Sequence, residues 1–135
     1  MVDILWAEDN PLDRQLIEEA LADLPGAPSV SFAEDGEELL RRLRTERPVL
    51  VVLDIKMPRV TGIEALDRMR RDAKLHAMPV VIFSSSNQPS EMDTCRRLGV
   101  RDYVQKPIEF GALQAAVRRV VGWASAVSPR AGDAG

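Results

Sequence analysis

Two adjacent acids, Glu8 and Asp9, a third acid at Asp54, a hydroxyl at Ser84 and an amine at Lys106 each stand at or just past the end of a short apolar run. Three carboxylates gathered in one crevice repel one another and raise one another's pKa unless a cation neutralises them. With only oxygen donors and no His or Cys beside them, the expected cation is Mg²⁺ rather than zinc or copper. Glu8, Asp9 and Asp54 balance one divalent ion plus Lys106, so the filled site is neutral and an arriving phosphoryl group is the excess charge. The metal, Lys106 and Ser84 could each meet one phosphoryl oxygen, which is how phosphoryl transfer is catalysed by position and charge compensation. Asp54 is the expected nucleophile, because a charge directly after five apolar positions is costly without a role.

These residues meet only if the elements carrying them lie side by side. Residues 2–7, 29–33, 49–53, 79–83 and 101–104 read as strands; the third and fourth are apolar at nearly every position, as in a parallel sheet covered on both faces. Between them lie helical patterns. The first carries Leu12, Leu16, Ala20 and Leu24, opened by Asn10 as N-cap and Pro11 at the first helical position and closed by Pro25-Gly26. Others follow at about 35–46, 62–72, 89–98 and 109–124. The fourth has only Met92, Cys95 and Leu98 as inward candidates, ends at Gly99, and is expected to pack most loosely. The fifth has the strongest stripe: Phe110, Leu113, Val117, Val120, Val121 and Ala124. Five strand-helix repeats with right-handed crossovers give an α/β doubly wound parallel sheet of flavodoxin-like (βα)5 type, order 2-1-3-4-5, with ligands bound beyond the carboxyl ends of strands one and three.

The 135 residues, 45% of them hydrophobic, suffice for one core and exclude a two-domain enzyme. A net charge of −3 offers no general attraction to nucleic acid or anionic lipid, so no direct DNA binding and no membrane contact are expected. The N-terminus lacks the basic flank of a signal peptide, and no segment approaches the roughly 18 apolar residues of a membrane span. The expected location is cytoplasmic, and the lone Cys95 excludes an internal disulfide. Residues 1–124 form the expected domain. Residues 125–135, small and polar, are the expected flexible tail, with no output domain.

Glu8-Asp9, the segment Asp54-Ile-Lys-Met57-Pro58-x-x-x-Gly62, Ser84-Ser85 and Lys106-Pro107, in this order and spacing, resemble the receiver domain of two-component response regulators over about residues 2–124. Each element alone is commonplace, and their joint placement is what carries the likeness. The resemblance implies that Asp54 accepts a phosphoryl group from a sensor histidine kinase. It implies that Asp9 binds Mg²⁺ directly, Glu8 through water, and that the backbone carbonyl of Lys56 completes the ligands. It further implies that the side chains of Lys56 and Ser86 tune hydrolysis, that Lys106 pairs with the phosphoryl oxygens across a cis bond to Pro107, and that Ser84 and Tyr103 form the switch. The Glu-Asp-Asn-Pro start, the Lys-Pro-Ile-Glu-Phe segment and the Val-Gly-Trp ending are similar to stand-alone regulators paired with bacterial phytochrome kinases, which implies such a kinase as partner and a homodimer through the C-terminal face.

Other readings fit less well. A phosphatase or topoisomerase-primase-like domain would need a second acid two residues after Asp54, where Lys56 stands. A flavin binder would need a Ser, Thr or Gly-rich loop after the first strand, where Glu8 and Asp9 would repel the phosphate. A phosphate sink or docking receiver, whose kinase acts mainly as a phosphatase, remains the alternative within the family. His76 reads as a surface residue, and Cys95 and Trp6 read as core.

Overall fold

The apolar runs become β1 (Ile4–Ala7), β2 (Val30–Ala33), β3 (Leu50–Leu53), β4 (Val80–Ser84) and β5 (Asp102–Gln105), alternating with α1 (Pro11–Ala22), α2 (Gly36–Arg42), α3 (Gly62–Arg71), α4 (Pro89–Arg97) and α5 (Phe110–Val127). The molecule is a computed structural model that describes residues 2–127. All strand pairs are parallel and the order is β2-β1-β3-β4-β5, as the sequence led us to expect. Every residue of β1, β3 and β4 is buried, which explains their unbroken apolar character.

Alternation within the strands divides the core in two. Leu5, Val51, Leu53 and Ile82 face one layer with Leu39, Leu66 and Met69. Ile4, Trp6, Val52 and Phe83 face the other with Ile17, Val117 and Val120. Trp6 is fully buried, its ring edge-on to Phe83 with centroids 5.6 Å apart.

The helix signals act as read. Asn10 Oδ1 accepts from the backbone N–H groups of Leu12 and Asp13 at 2.9 and 3.0 Å, and Thr61 with Glu64 forms a capping box on α3. Gly99, at φ +76°, ends the α4 segment. That helix buries only Cys95, whose thiol is pushed up to about 11 by burial and by the Glu91 carboxylate.

Several expectations need correction. Leu12 and Phe110, assigned to buried stripes, are exposed, because each sits in the first turn of its helix beyond the cover of the sheet. The helix expected over 35–46 stops at Arg42, where turn bonds from Arg44 to Arg41 and from Thr45 to Arg42 take over ahead of Pro48. The last helix runs on through Val127, so the expected boundary at 124 falls inside it. The remainder of the expected tail, residues 128–135, lies outside the described residues.

Candidate functional site

Strand register brings the polar residues together. Ala7 is level with Leu53, and the Asp54 N–H donates to the Ala7 carbonyl at 3.2 Å, so Glu8 and Asp54 leave the sheet side by side. Ser84 is level with Gln105, and the Lys106 N–H donates to the Ser84 carbonyl at 2.8 Å. The four strand ends therefore deliver Glu8, Asp54, Ser84 and Lys106 to one edge, where the strand order reverses.

Lys106 is the hub. Its Nζ lies 2.6 Å from Glu8 Oε1, 2.7 Å from Asp54 Oδ2 and 2.9 Å from Asp13 Oδ2. Glu8 is 0% and Asp54 6% exposed. Burial pushes the Glu8 carboxyl up to about 7, against the pull of Lys106. Burial works in the opposite sense on Lys106, but Asp54 and Glu8 outweigh it and hold the ammonium above its ordinary value.

Asp13 was missed by the sequence reading. It stands in the first turn of α1, three residues after the N-cap, where an acid is unremarkable. The available signal was its spacing of four from Asp9, which returns it to the same side of the chain. Its presence also corrects the formal charge balance: four carboxylates against Lys106 and one divalent ion leave the filled site one charge negative.

One carboxylate oxygen from each of Glu8, Asp9 and Asp54 lies within 4.8 Å of the others. Glu8 Oε1 is buried against the Lys106 ammonium at 2.6 Å, and together with Asp9 and Asp54 it presents a set of hard carboxylate oxygens with no His or Cys among them. The residues present therefore fit a divalent metal bound through oxygen.

Ser84 is buried, and its Oγ accepts from the Ser86 N–H at 3.3 Å. The Ser86 hydroxyl donates to the Glu91 carboxylate, and the Ser86 carbonyl accepts from the Tyr103 hydroxyl at 2.8 Å. Tyr103 is thus joined through Ser86 to Ser84, and Glu91 is a further participant that sequence reasoning did not name. Lys56 is exposed, so its side chain is free of structural duty.

The expected cis bond between Lys106 and Pro107 is not found: no peptide bond among the described residues is cis. The trans preference of an X-Pro bond stands here, and Lys106 reaches all three carboxylates with it in place.

The loop after Asp54 is held closely. A Cβ at Gly62 would lie 2.0 Å from the Asp54 carbonyl oxygen, and one at Gly36 would lie 2.5 Å from that of Val60. Arg59, at φ +64°, pairs with the buried carboxylate of Asp35, the N-cap of α2.

Comparison with known proteins identifies a family. The model of the response regulator receiver domain matches residues 4–118. Protein PilH of Pseudomonas aeruginosa is 31% identical over 121 residues, which cover 90% of this chain and 98% of that protein. The phosphorylated cyanobacterial phytochrome response regulator RcpA superposes with a TM-score of 0.85 at 29% identity, covering 95% of this chain and 96% of the other. For the bacteriophytochrome response regulator AtBRR the TM-score is 0.71 at 33% identity, covering 89% and 92%. A protein-glutamate methylesterase/protein-glutamine glutaminase of Trichodesmium erythraeum is 30% identical over 119 residues, but this chain spans only 33% of its length. Matched over residues 4–118, and sharing its fold along nearly the full length of such regulators, the chain belongs to the response regulator receiver domain family.

Proposed function

We propose that the chain accepts a phosphoryl group on Asp54 from the histidine of a sensor kinase, in a reaction that requires Mg²⁺. The observation that supports this most is the placement of Lys106 Nζ 2.7 Å from Asp54 Oδ2 at the strand ends, with two further carboxylates on the same ammonium. In the transfer an Asp54 carboxylate oxygen forms a bond to phosphorus while the bond from phosphorus to the kinase imidazole breaks, and its electron pair returns to the ring. Lys106 exchanges a carboxylate for a phosphoryl oxygen, and Ser84 Oγ donates to another. Asp9, Glu8, Asp54 and the Lys56 carbonyl would hold Mg²⁺, which when bound offsets the charge of the phosphoryl oxygens. The exposed Lys56 side chain and Ser86 are the residues that would tune hydrolysis, and Ser84 with Tyr103 would report the modified state to the face formed by α4, β5 and α5.

Near this centre the surface is apolar. Leu12, Ile108 and Phe110 are exposed, and Ile108 and Phe110 line a cavity of about 180 Å³ with Asp13 and Lys106. A kinase helix seated there would bring its histidine to Asp54. The likeness to RcpA and AtBRR favours a phytochrome kinase as the donor. Self-association through the C-terminal face belongs to the same reading. The apolar residues of α5 are used inside the chain, and Trp123 Nε1 donates to Asp102 at 3.0 Å, but α4 buries only Cys95 and leaves most of itself for a second copy.

The test follows a labelled phosphoryl group from a kinase phosphorylated on histidine to this chain. Leu12→Glu with Phe110→Glu is expected to slow that transfer at least about tenfold, a loss of about 1.4 kcal/mol, while leaving phosphorylation by acetyl phosphate unchanged. Equal rates from both donors would remove the docking surface.

A further inference from the structure

The end of the sheet opposite Asp54 carries its own pattern. The α2–α3 side holds a cavity of about 690 Å³ floored by Leu40, Leu43 and Leu75 and rimmed by Arg41, Arg44, Arg47, Arg68 and Lys74, against two acids, Glu37 and Asp72. Across the connection between α3 and β4 lies a second, shallower cavity of about 770 Å³, lined by Arg70, Arg97, Arg101, His76 and Trp123, with no acid on its wall. Both open on the same connection, with Lys74 and Leu75 on one side and His76 and Met78 on the other. They form one basic floor on a protein of net charge −3.

Helix dipoles explain part of this. Arg41, Arg68 and Arg97 lie in last helical turns, where cations are favoured. Arg44, Lys74 and Arg101 lie beyond the helix ends, as does Arg47, whose guanidinium donates to the Leu43 and Glu46 carbonyls. Arg44, Arg47, Arg68, Lys74, Arg97 and Arg101 are all exposed, and none forms an ion pair among the described residues. Arg70 is committed to backbone carbonyls, Leu98 at 2.6 Å and Met78 at 2.9 Å, with no carboxylate partner; burial and the charge of Arg101 push it below its ordinary value.

We propose that this floor binds an acidic segment of a partner protein, with aliphatic side chains seated on Leu40 and Leu75 and carboxylates on Arg44, Arg68, Lys74 and Arg101. Volumes of this size suit a few residues of extended peptide. Charge complementarity selects an acidic partner. A nucleic acid would meet the acidic opposite end with any wider contact. A lipid surface would find no apolar anchor here, since the exposed large apolar side chains of the described residues, Leu12, Ile108 and Phe110, are at the other end. The floor lies at the amino edge of the sheet and Asp54 at the carboxyl edge, so a partner can stay bound while Asp54 reacts. This inference is independent of the phosphorylation proposed above and is tested on the unmodified chain.

The probe is a short synthetic peptide of glutamates interrupted by leucines, titrated into the full chain and followed by amide chemical shifts. Saturable binding that weakens with salt and moves the amides of Arg44, Arg68, Lys74 and Arg101 is expected. The variant Arg44→Glu, Arg68→Glu, Arg101→Glu should weaken it at least about tenfold, and the corresponding alanine variant should also weaken it, with Mg²⁺ binding unchanged in both. No saturable binding, shifts confined to the Asp54 edge, indifference to charge reversal, or tighter binding of an oligothymidylate or of phosphatidylglycerol vesicles would each overturn the proposal.

Discussion

At the scale of single residues, the site is a balance of charges around Lys106. The buried Glu8 carboxyl, with a value of about 7 in the fold against 4.5 ordinarily, binds its proton more readily folded than unfolded. Its contribution to stability is therefore present below about pH 4.5 and is lost as pH rises through about 7, a change on the order of 3 kcal/mol. Urea titrations of metal-free wild type and Glu8→Gln between pH 5 and 8 should show wild type falling relative to the variant; parallel curves would contradict the burial of an ionisable Glu8. Lys106 gives the opposite experiment. Lys106→Ala leaves Glu8, Asp13 and Asp54 facing one another, and should cost the metal-free protein about 3–5 kcal/mol. Mg²⁺ should restore part of it by mass action on the folded state, read as a rise in Tm larger than in wild type. The proposed Ser84 and Tyr103 switch obeys the same arithmetic. Driving a two-state element from 1:99 to 99:1 takes about 5.5 kcal/mol, whereas one hydrogen bond from Ser84 to a charged phosphoryl oxygen contributes roughly 1.5–3 kcal/mol, so Lys106 must share the work.

At the scale of elements, the loop from Asp54 to Gly62 decides where the Asp54 carboxylate, the proposed nucleophile, sits. Gly62 lets the start of α3 press against the Asp54 carbonyl, and its N–H donates to the Ile55 carbonyl at 2.9 Å. Gly62→Ala has no room without moving that backbone. A loss of about 1–3 kcal/mol is expected, together with weaker Mg²⁺ affinity, checked by calorimetry; an unchanged affinity would mean the loop does not position the site. Much of this scale was legible in the sequence. Continuous apolar runs gave the parallel sheet, and Asn10-Pro11 gave the start of α1. Tertiary contact was not legible. Leu12 and Phe110 fit a helical stripe by period, yet the sheet does not extend to cover them, and their exposure follows from where the helices begin. Asp13 looked like an ordinary first-turn acid, because what makes it part of the site is Lys106, 93 residues away. The Lys106–Pro107 bond was read as cis from resemblance, and nothing in the local sequence decides that isomer.

At the scale of the whole molecule, net charge conceals polarity. Acids crowd the carboxyl edge of the sheet, where Glu8, Asp9, Asp13 and Asp54 meet, and unpaired arginines and lysine crowd the amino edge. The doubly wound topology separates them, since every crossover helix begins at one edge and ends at the other. No helix among the described residues is long and apolar enough to cross a membrane. The proposed phosphoryl chemistry is thus at one end, beside the apolar residues Leu12, Ile108 and Phe110, and the basic floor is at the other. The most direct test of the central claim is the intact mass of wild type and Asp54→Asn after incubation with acetyl phosphate, with Mg²⁺ or with a chelator. Wild type with Mg²⁺ is expected to gain a single phosphoryl group, while the chelated sample and the variant gain none. A wild type that stays unmodified with both acetyl phosphate and a phosphorylated kinase, or an Asp54→Asn variant that gains the same mass, would contradict Asp54 as the acceptor.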